Sequence, residues 1–322
     1  MTPSSDPLRM RVGRAVVDAA WTVLSHGWRK LPIARPERHG VTCQYDIPYT
    51  SSGNPRHLLD VYKPAEGSAP WPVVMYVHGG GFRILSKDSH WGMGLAYAKR
   101  GYVVFLVNYR LAPKHRYPAA VEDVAAALTW IVEHAHEYGG DASRLVLAGE
   151  SAGANLATSL ALMTSYRRDE PYAKAVFEAN IRPRAVIAKC GLHQVSDPKR
   201  FSRRKRIPTF LQDRIVEVSQ SYLPQEAVPN GFLDLADPVV FLERGVRPER
   251  PLPPFFSSVG TADPVLDDTR RLHAALEKLG VRSEARYYRG DIHAFQAIHF
   301  LPNAKKYWKE MHGFLNEVLE RS

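Results

Sequence analysis

Five residues at the end of an apolar run, Gly149-Glu150-Ser151-Ala152-Gly153, have the types and spacing for nucleophilic chemistry. The run RLVLAG (144–149) reads as a buried strand, and the Ala- and Leu-rich stretch after it reads as a helix. The serine therefore falls on a sharp strand-to-helix turn, and small residues on both flanks let strand and helix approach that turn closely. Such an elbow projects the Ser151 hydroxyl from the carboxyl end of a sheet, beside a helix N-terminus. A hydroxyl there needs a base to take its proton and an acid to orient the base. The alternative is an ordinary tight turn whose serine caps the helix.

A second segment, His78-Gly79-Gly80-Gly81-Phe82, directly follows the run WPVVMYV (71–77). Consecutive glycines let backbone N–H groups turn inward with no side chain in the way. An oxyanion hole has that requirement, because its donors must sit about 3 Å from the oxygen that becomes negative. A phosphate cradle is the competing use, but no Gly-x-x-x-x-Gly-Lys or Gly-x-Gly-x-x-Gly pattern follows. His78 is expected to shape the loop through hydrogen bonds.

For the acid, PFFSSVG (254–260) runs into a loop that carries Asp263, at the strand end where functional groups of α/β folds collect. Asp267 and Asp268, one turn later, read as charges at a helix N-terminus. For the base, SEARYYR (283–289) leads into Gly290-Asp291-Ile292-His293-Ala294-Phe295. Of 13 histidines, His293 alone follows a late strand downstream of such an aspartate. His299 lacks that setting, and His90, His115 and His193 precede the acid and read as loop or cap residues. Serine, aspartate and histidine then follow one another at successive strand ends.

The elements that must hold these groups are legible as alternation. Besides the runs already named, YVVFLVNY (102–109) and RAVIAKCGL (184–192) are continuous, β-branched and bounded by Gly or Pro, as suits strands buried on both faces of a parallel sheet. Helical spacing occupies 119–136, 152–166, 267–279 and 304–319. Strand and helix in alternation predict an α/β fold, a mostly parallel sheet with helices on both faces. VTCQYDIPY (41–49) and RHLLDVYKP (56–64), separated by Ser51-Ser52-Gly53-Asn54, read as an antiparallel hairpin at the sheet edge. Residues 193–253 break the rhythm and are too long for a bare loop, so an inserted cap with short helices is expected. Within them KRFSRRKR (199–206) holds six basic residues in eight, read as a solvated cap surface; without a recognition fold or stacking aromatics, no nucleic-acid partner is expected.

Composition narrows the remaining classes. The chain has 322 residues, 45% of them apolar, enough to bury roughly three-quarters of its unfolded surface. Two cysteines exclude a disulfide framework or a cysteine-rich zinc module, and no metal is required. The net charge of +10 permits acidic partners without demanding them. No run approaches the ~18 apolar residues of a membrane span. The first residues lack a secretory pattern, so a cytoplasmic location is expected. Residues 8–31 read as an amphipathic helix on the protein's own core, with weak membrane-surface association as the lesser reading.

With these pieces assembled, the chain resembles the α/β-hydrolase superfamily and, within it, the bacterial hormone-sensitive-lipase-like esterases. The resemblance is carried by HGGGF (78–82), NYRLAPKHRYPAAVEDV (108–124), GESAGANLA (149–157), DPVLDD (263–268) and GDIHAF (290–295). It implies an α/β-hydrolase core over 41–192 and 254–322, with residues 1–40 and 193–253 forming a helical cap. It implies a serine carboxylesterase without metal or cofactor, acting on small-molecule esters of short- to medium-chain acids through an acyl-enzyme. Ser151 would be the nucleophile, His293 the base and Asp263 its partner, with the Gly80, Gly81 and Ala152 N–H groups as oxyanion hole. Two positions depart from the common pattern: Glu150, where many members carry Asp, and Ala154, where many carry Gly. An amidase or acyltransferase on the same triad, or a ligand-binding protein without turnover, are the rival readings.

Overall fold

In the computed structural model, which describes Gly13, residues 31–204 and residues 207–320, a single eight-stranded sheet organises the chain. Its strands are β1 (Val41–Pro48), β2 (Leu58–Pro64), β3 (Trp71–Val77), β4 (Val103–Val107), β5 (Gly140–Glu150), β6 (Ala185–Lys189), β7 (Phe255–Gly260) and β8 (Ser283–Tyr288). Their spatial order is β1-β2-β4-β3-β5-β6-β7-β8. β1 and β2 form the expected antiparallel hairpin at one edge, and β2 is antiparallel to β4; every later pairing is parallel.

The continuous apolar runs are explained by burial on two sides. Val73, Met75 and Val77 of β3, with Val103, Phe105 and Val107 of β4, face one core. Val74, Tyr76, Val104 and Leu106 face the other. The first core is closed by α2 (Ala119–His134), α3 (Ala152–Ser165), α4 (Pro171–Glu178) and α8 (Leu266–Lys278). The second is closed by α1 (Trp91–Ala98) and α9 (Pro302–Glu320). The sheet thus carries helices on both faces, as the alternation predicted. α1 and α4 have no counterpart in the sequence reading, because eight residues each give too few turns for a helical period to stand out.

Between β6 and β7 the chain forms α5 (Arg200–Arg204), α6 (Thr209–Tyr222) and α7 (Pro238–Glu243). Phe201, Tyr222 and Leu223 of this segment are buried, but Phe210 is 58% exposed. It opens α6, where its ring lies beside the Arg214 guanidinium at 5.5 Å. The apolar positions Val16, Val17, Trp21 and Leu24, expected in the cap, lie outside the described residues.

Asp268 corrects a simpler expectation. It stands in the first turn of α8, but its fully buried carboxylate does more than face the helix dipole. It accepts the His193 N–H (2.8 Å) and the Gln194 N–H (3.1 Å), and it pairs with Arg200 at 2.6 Å. Arg200, read as part of a solvated basic cluster, is therefore an anchor for the inserted segment. Removing one member of such a buried pair strands the other charge. We expect Asp268→Ala to cost about 3–5 kcal/mol of stability, measured as a lower urea midpoint at unchanged slope. A midpoint within error of wild type would contradict the anchoring role.

Candidate active site

β5 delivers Ser151 to the carboxyl edge of the sheet at φ 55° and ψ −115°, a left-handed conformation that L-residues adopt only under constraint. The constraint is visible on both sides. The Ser151 N–H donates to the Lys189 carbonyl of β6 at 2.8 Å, and the Ser151 carbonyl accepts from Ala154 and Asn155 as α3 begins. A methyl group at Gly153 would lie 2.1 Å from the Val77 carbonyl oxygen, so only glycine lets α3 sit this close to β3. Asn155 then locks the helix start, donating to the Leu192 and Ala236 carbonyls at 2.8 Å each.

The glycine loop after β3 lies against the same turn. The His78 Nδ1–H donates to the Gly79 carbonyl at 2.7 Å, and the ring stacks on Tyr109 with centroids 4.3 Å apart. The Tyr109 hydroxyl in turn donates to the His78 carbonyl at 3.0 Å. Burial holds the His78 ring well below its ordinary pKa, so it stays neutral and structural, as expected. Gly80 and Gly81 both have positive φ, and neither N–H finds a hydrogen-bond acceptor among the described residues. Ala152, the first residue of α3, has an N–H that no helical carbonyl can reach.

The neighbouring strands supply the titratable pair. Asp263, buried after β7, accepts the Val265 N–H at 3.0 Å and holds His293, after β8, through Nδ1 at 2.8 Å. Burial disfavours the charged His293 ring, but the Asp263 carboxylate outweighs it, and Glu150 adds to it, so the imidazole pKa lies above its ordinary 6.5. The structure thus brings Asp263 and His293 into contact and sets Ser151 two strand positions from β7 on the same edge. Of the histidines excluded by sequence, His115 is in the loop before α2, His193 is buried against Gly191 and His299 stacks on Trp308, but His90 comes within 3.9 Å of Glu150, beside the serine.

Several groups around the site carry no motif of their own. Glu150, beside the serine, is buried with Nε2 of His90 at 3.9 Å. Burial alone would raise its carboxyl, but His90 and the charge of Lys189 bring it below the usual range. Lys189, in register with Glu150 on β6, is fully buried under the Tyr76 ring at 4.5 Å, and burial pulls its pKa down to about 8. Cys190, the residue after β6, lies close to both Asp263 and His293. α6 presses on the glycine loop: Phe82 stacks on Tyr222 at 3.8 Å, Arg83 pairs with buried Glu217 at 2.9 Å, and a methyl at Gly81 would meet Val218 at 2.6 Å. Only pairing across the fold reveals these groups; the NYRLAP segment was the one hint, since its Tyr109 and Arg110 turn out to brace the loop and Asp123.

Residues 74–297 match the family model described as alpha/beta hydrolase fold. The carboxylesterase NlhH of Mycobacterium tuberculosis is 34% identical over 228 residues, 70% of this chain and 66% of that protein, so the match spans slightly under two-thirds of that relative's length. An acetyl esterase of Salmonella schwarzengrund is 31% identical over 258 residues, covering 79% of this chain and 72% of the relative. Among solved structures, the esterase LipW from Mycobacterium marinum superposes with a TM-score of 0.76 at 23% identity, over 94% of this chain and 89% of that one, a likeness of fold. Among the described residues, no helix is long and apolar enough to cross a membrane.

Proposed function

The chain belongs to the alpha/beta hydrolase fold family, and from that premise we propose that it is a serine carboxylesterase working through an acyl-enzyme. The observation that carries this reading is the 2.8 Å hydrogen bond by which buried Asp263 holds His293 through Nδ1. With Nδ1 engaged, the ring's proton sits there and Nε2 is the basic nitrogen. Ser151 attacks the ester carbonyl while Nε2 takes the hydroxyl proton, and Asp263 steadies the imidazolium that forms. The carbonyl oxygen becomes an oxyanion held by the Gly80, Gly81 and Ala152 N–H groups. Collapse breaks the C–O bond, and His293 returns the proton to the leaving alcohol. Water, deprotonated by the same nitrogen, then attacks the acyl-enzyme and releases the carboxylic acid. The relatives named as esterases support this reaction class over amide hydrolysis or acyl transfer.

The acyl group meets α6, whose Val218 and Tyr222 stand against the glycine loop. Each buried methylene favours binding by ~0.8 kcal/mol until the chain reaches a wall, so efficiency should rise and then fall with length. The enzyme therefore prefers short- to medium-chain acyl groups; one relative is named an acetyl esterase. A chain-length series of p-nitrophenyl esters tests this, with pre-steady-state mixing to read a burst of nitrophenol near one per chain. Absence of turnover on every ester would end the esterase reading. Equal or higher efficiency on palmitoyl than on butyryl ester would end the closed-pocket reading.

A further inference from the structure

Four adjacent strands, β5, β6, β7 and β8, lead into Ser151, Cys190, Asp263 and His293. Acyl transfer uses three of these groups and leaves the thiol without a role. Cys190 is fully buried, has φ 38°, and donates its N–H to the Ser258 carbonyl at 2.7 Å. Its thiol lies beside the backbone of Ala294, the residue after His293. The arrangement leaves one donor atom from each of Cys190, Asp263 and His293 within 4.8 Å of the other two.

Thiolate, carboxylate and imidazole are the side chains that hold zinc, at about 2.3 Å for sulfur and about 2.0–2.2 Å for nitrogen and oxygen. Two ligands on one tetrahedral ion stand about 3.4–3.6 Å apart, so the three side chains must draw in by about 1 Å to close on it, and the exposed side of His293 offers the way in. We propose that Cys190, Asp263 and His293 form a three-ligand site for a thiophilic divalent cation, Zn²⁺ or Cd²⁺, whose binding switches the enzyme off. The inhibitory half rests on the esterase reading; the binding half does not. Mg²⁺ and Ca²⁺ prefer six or more oxygens, and one carboxylate with a sulfur does not suit them.

The chemistry balances without a redox step. Burial, with the charges of Glu150 and Asp263, keeps the thiol protonated in the metal-free protein, where it is a small apolar neighbour of the pair. On binding, the S–H bond breaks, a metal–sulfur bond forms, and the proton leaves to solvent. Coordination through His293 Nδ1 displaces the Asp263 hydrogen bond and moves the ring's proton to Nε2. That tautomer cannot accept the proton of Ser151, so nucleophilic attack stops.

Cd²⁺ titration followed by thiolate-to-metal charge-transfer absorbance tests binding directly. It is done in a Cys43→Ser background, since Cys43, half-buried on β1, is the chain's other cysteine. Absorbance should appear and saturate at about one ion per chain. It should persist in Ser151→Ala protein and vanish with Cys190→Ser; Cys190→Ala serves if that variant does not fold. In parallel, Zn²⁺ should inhibit ester hydrolysis reversibly with chelator, and Cys190→Ser should raise the half-inhibiting concentration roughly tenfold or more. No thiolate absorbance in Cys43→Ser protein, or unchanged zinc sensitivity in Cys190→Ser, overturns the proposal. A thiolate band in a protein without ester turnover would uphold the site while removing the esterase reading.

Discussion

Ser151→Ala should lower kcat by roughly 10⁵–10⁶-fold while leaving the protein folded. The loss is expected to be this large because, on the proposed mechanism, no other group at the turn can form the acyl-enzyme, while the backbone N–H donors and the binding surface would remain and supply the residual rate. Stability should hardly change, since alanine removes one oxygen and occupies the same backbone well. A companion substitution exposes the strain. At φ 55° and ψ −115° Ser151 occupies a region where a side chain costs about 1–3 kcal/mol. Ser151→Gly should therefore be as inactive as Ser151→Ala yet more stable than it, by about 1 kcal/mol once the extra freedom of unfolded glycine is set against the relief. Kinetics on a chromogenic ester and urea unfolding of both variants decide the matter. Retained turnover in Ser151→Ala, or organophosphate label on another serine, would remove the nucleophile assignment. A glycine variant no more stable than the alanine one would mean that the turn stores no strain.

What the sequence revealed of this molecule depended on how locally each feature is encoded. The parallel strands were readable because burial on two faces forces unbroken runs such as VVFLV in β4. Ser151 was readable because the close approach of β3, β5 and α3 demands glycine at fixed offsets, a steric requirement written into five consecutive residues. Asp263 and His293 were placed by a topological rule, that functional groups gather at strand ends, and the two side chains meet as that rule anticipated. Long-range pairing hid the rest. Asp268 carries the same helix-start signature as Asp267, and nothing in DPVLDD tells that one turns inward to Arg200 while the other stays near the surface beside Arg270. Residue type alone does not bury Phe210, whose helical phase turns its ring to the surface. Lys189 and Cys190 sat inside an apolar strand run, where a lysine reads as an interruption and a cysteine as filler, although Lys189 ends against Tyr76 and Cys190 beside Asp263 and His293.

The same contrast between neighbouring carboxylates gives the second large effect. Asp263→Asn should lower turnover by roughly 10⁴-fold, because an amide that donates toward Nδ1 favours the wrong ring tautomer and no longer steadies the imidazolium. Asp267→Asn, in the first turn of α8 where its side chain stays near the surface, should stay within a few-fold of wild type. The pH profile separates loss of orientation from mere disruption. In the native enzyme burial disfavours the charged His293 ring, but the Asp263 carboxylate outweighs it, so the pKa lies above 6.5. The charged ring cannot act as base, so kcat/KM should fall about tenfold per pH unit below that pKa, with the acid limb centred above 6.5. In Asp263→Asn the raising charge is gone and burial remains. The acid limb should then move to lower pH even as the plateau drops. A variant that merely loosens the fold would lose activity at every pH without moving the limb. If the limb stays in place, or if Asp267→Asn is the crippling change, Asp263 is not the partner of His293 in catalysis.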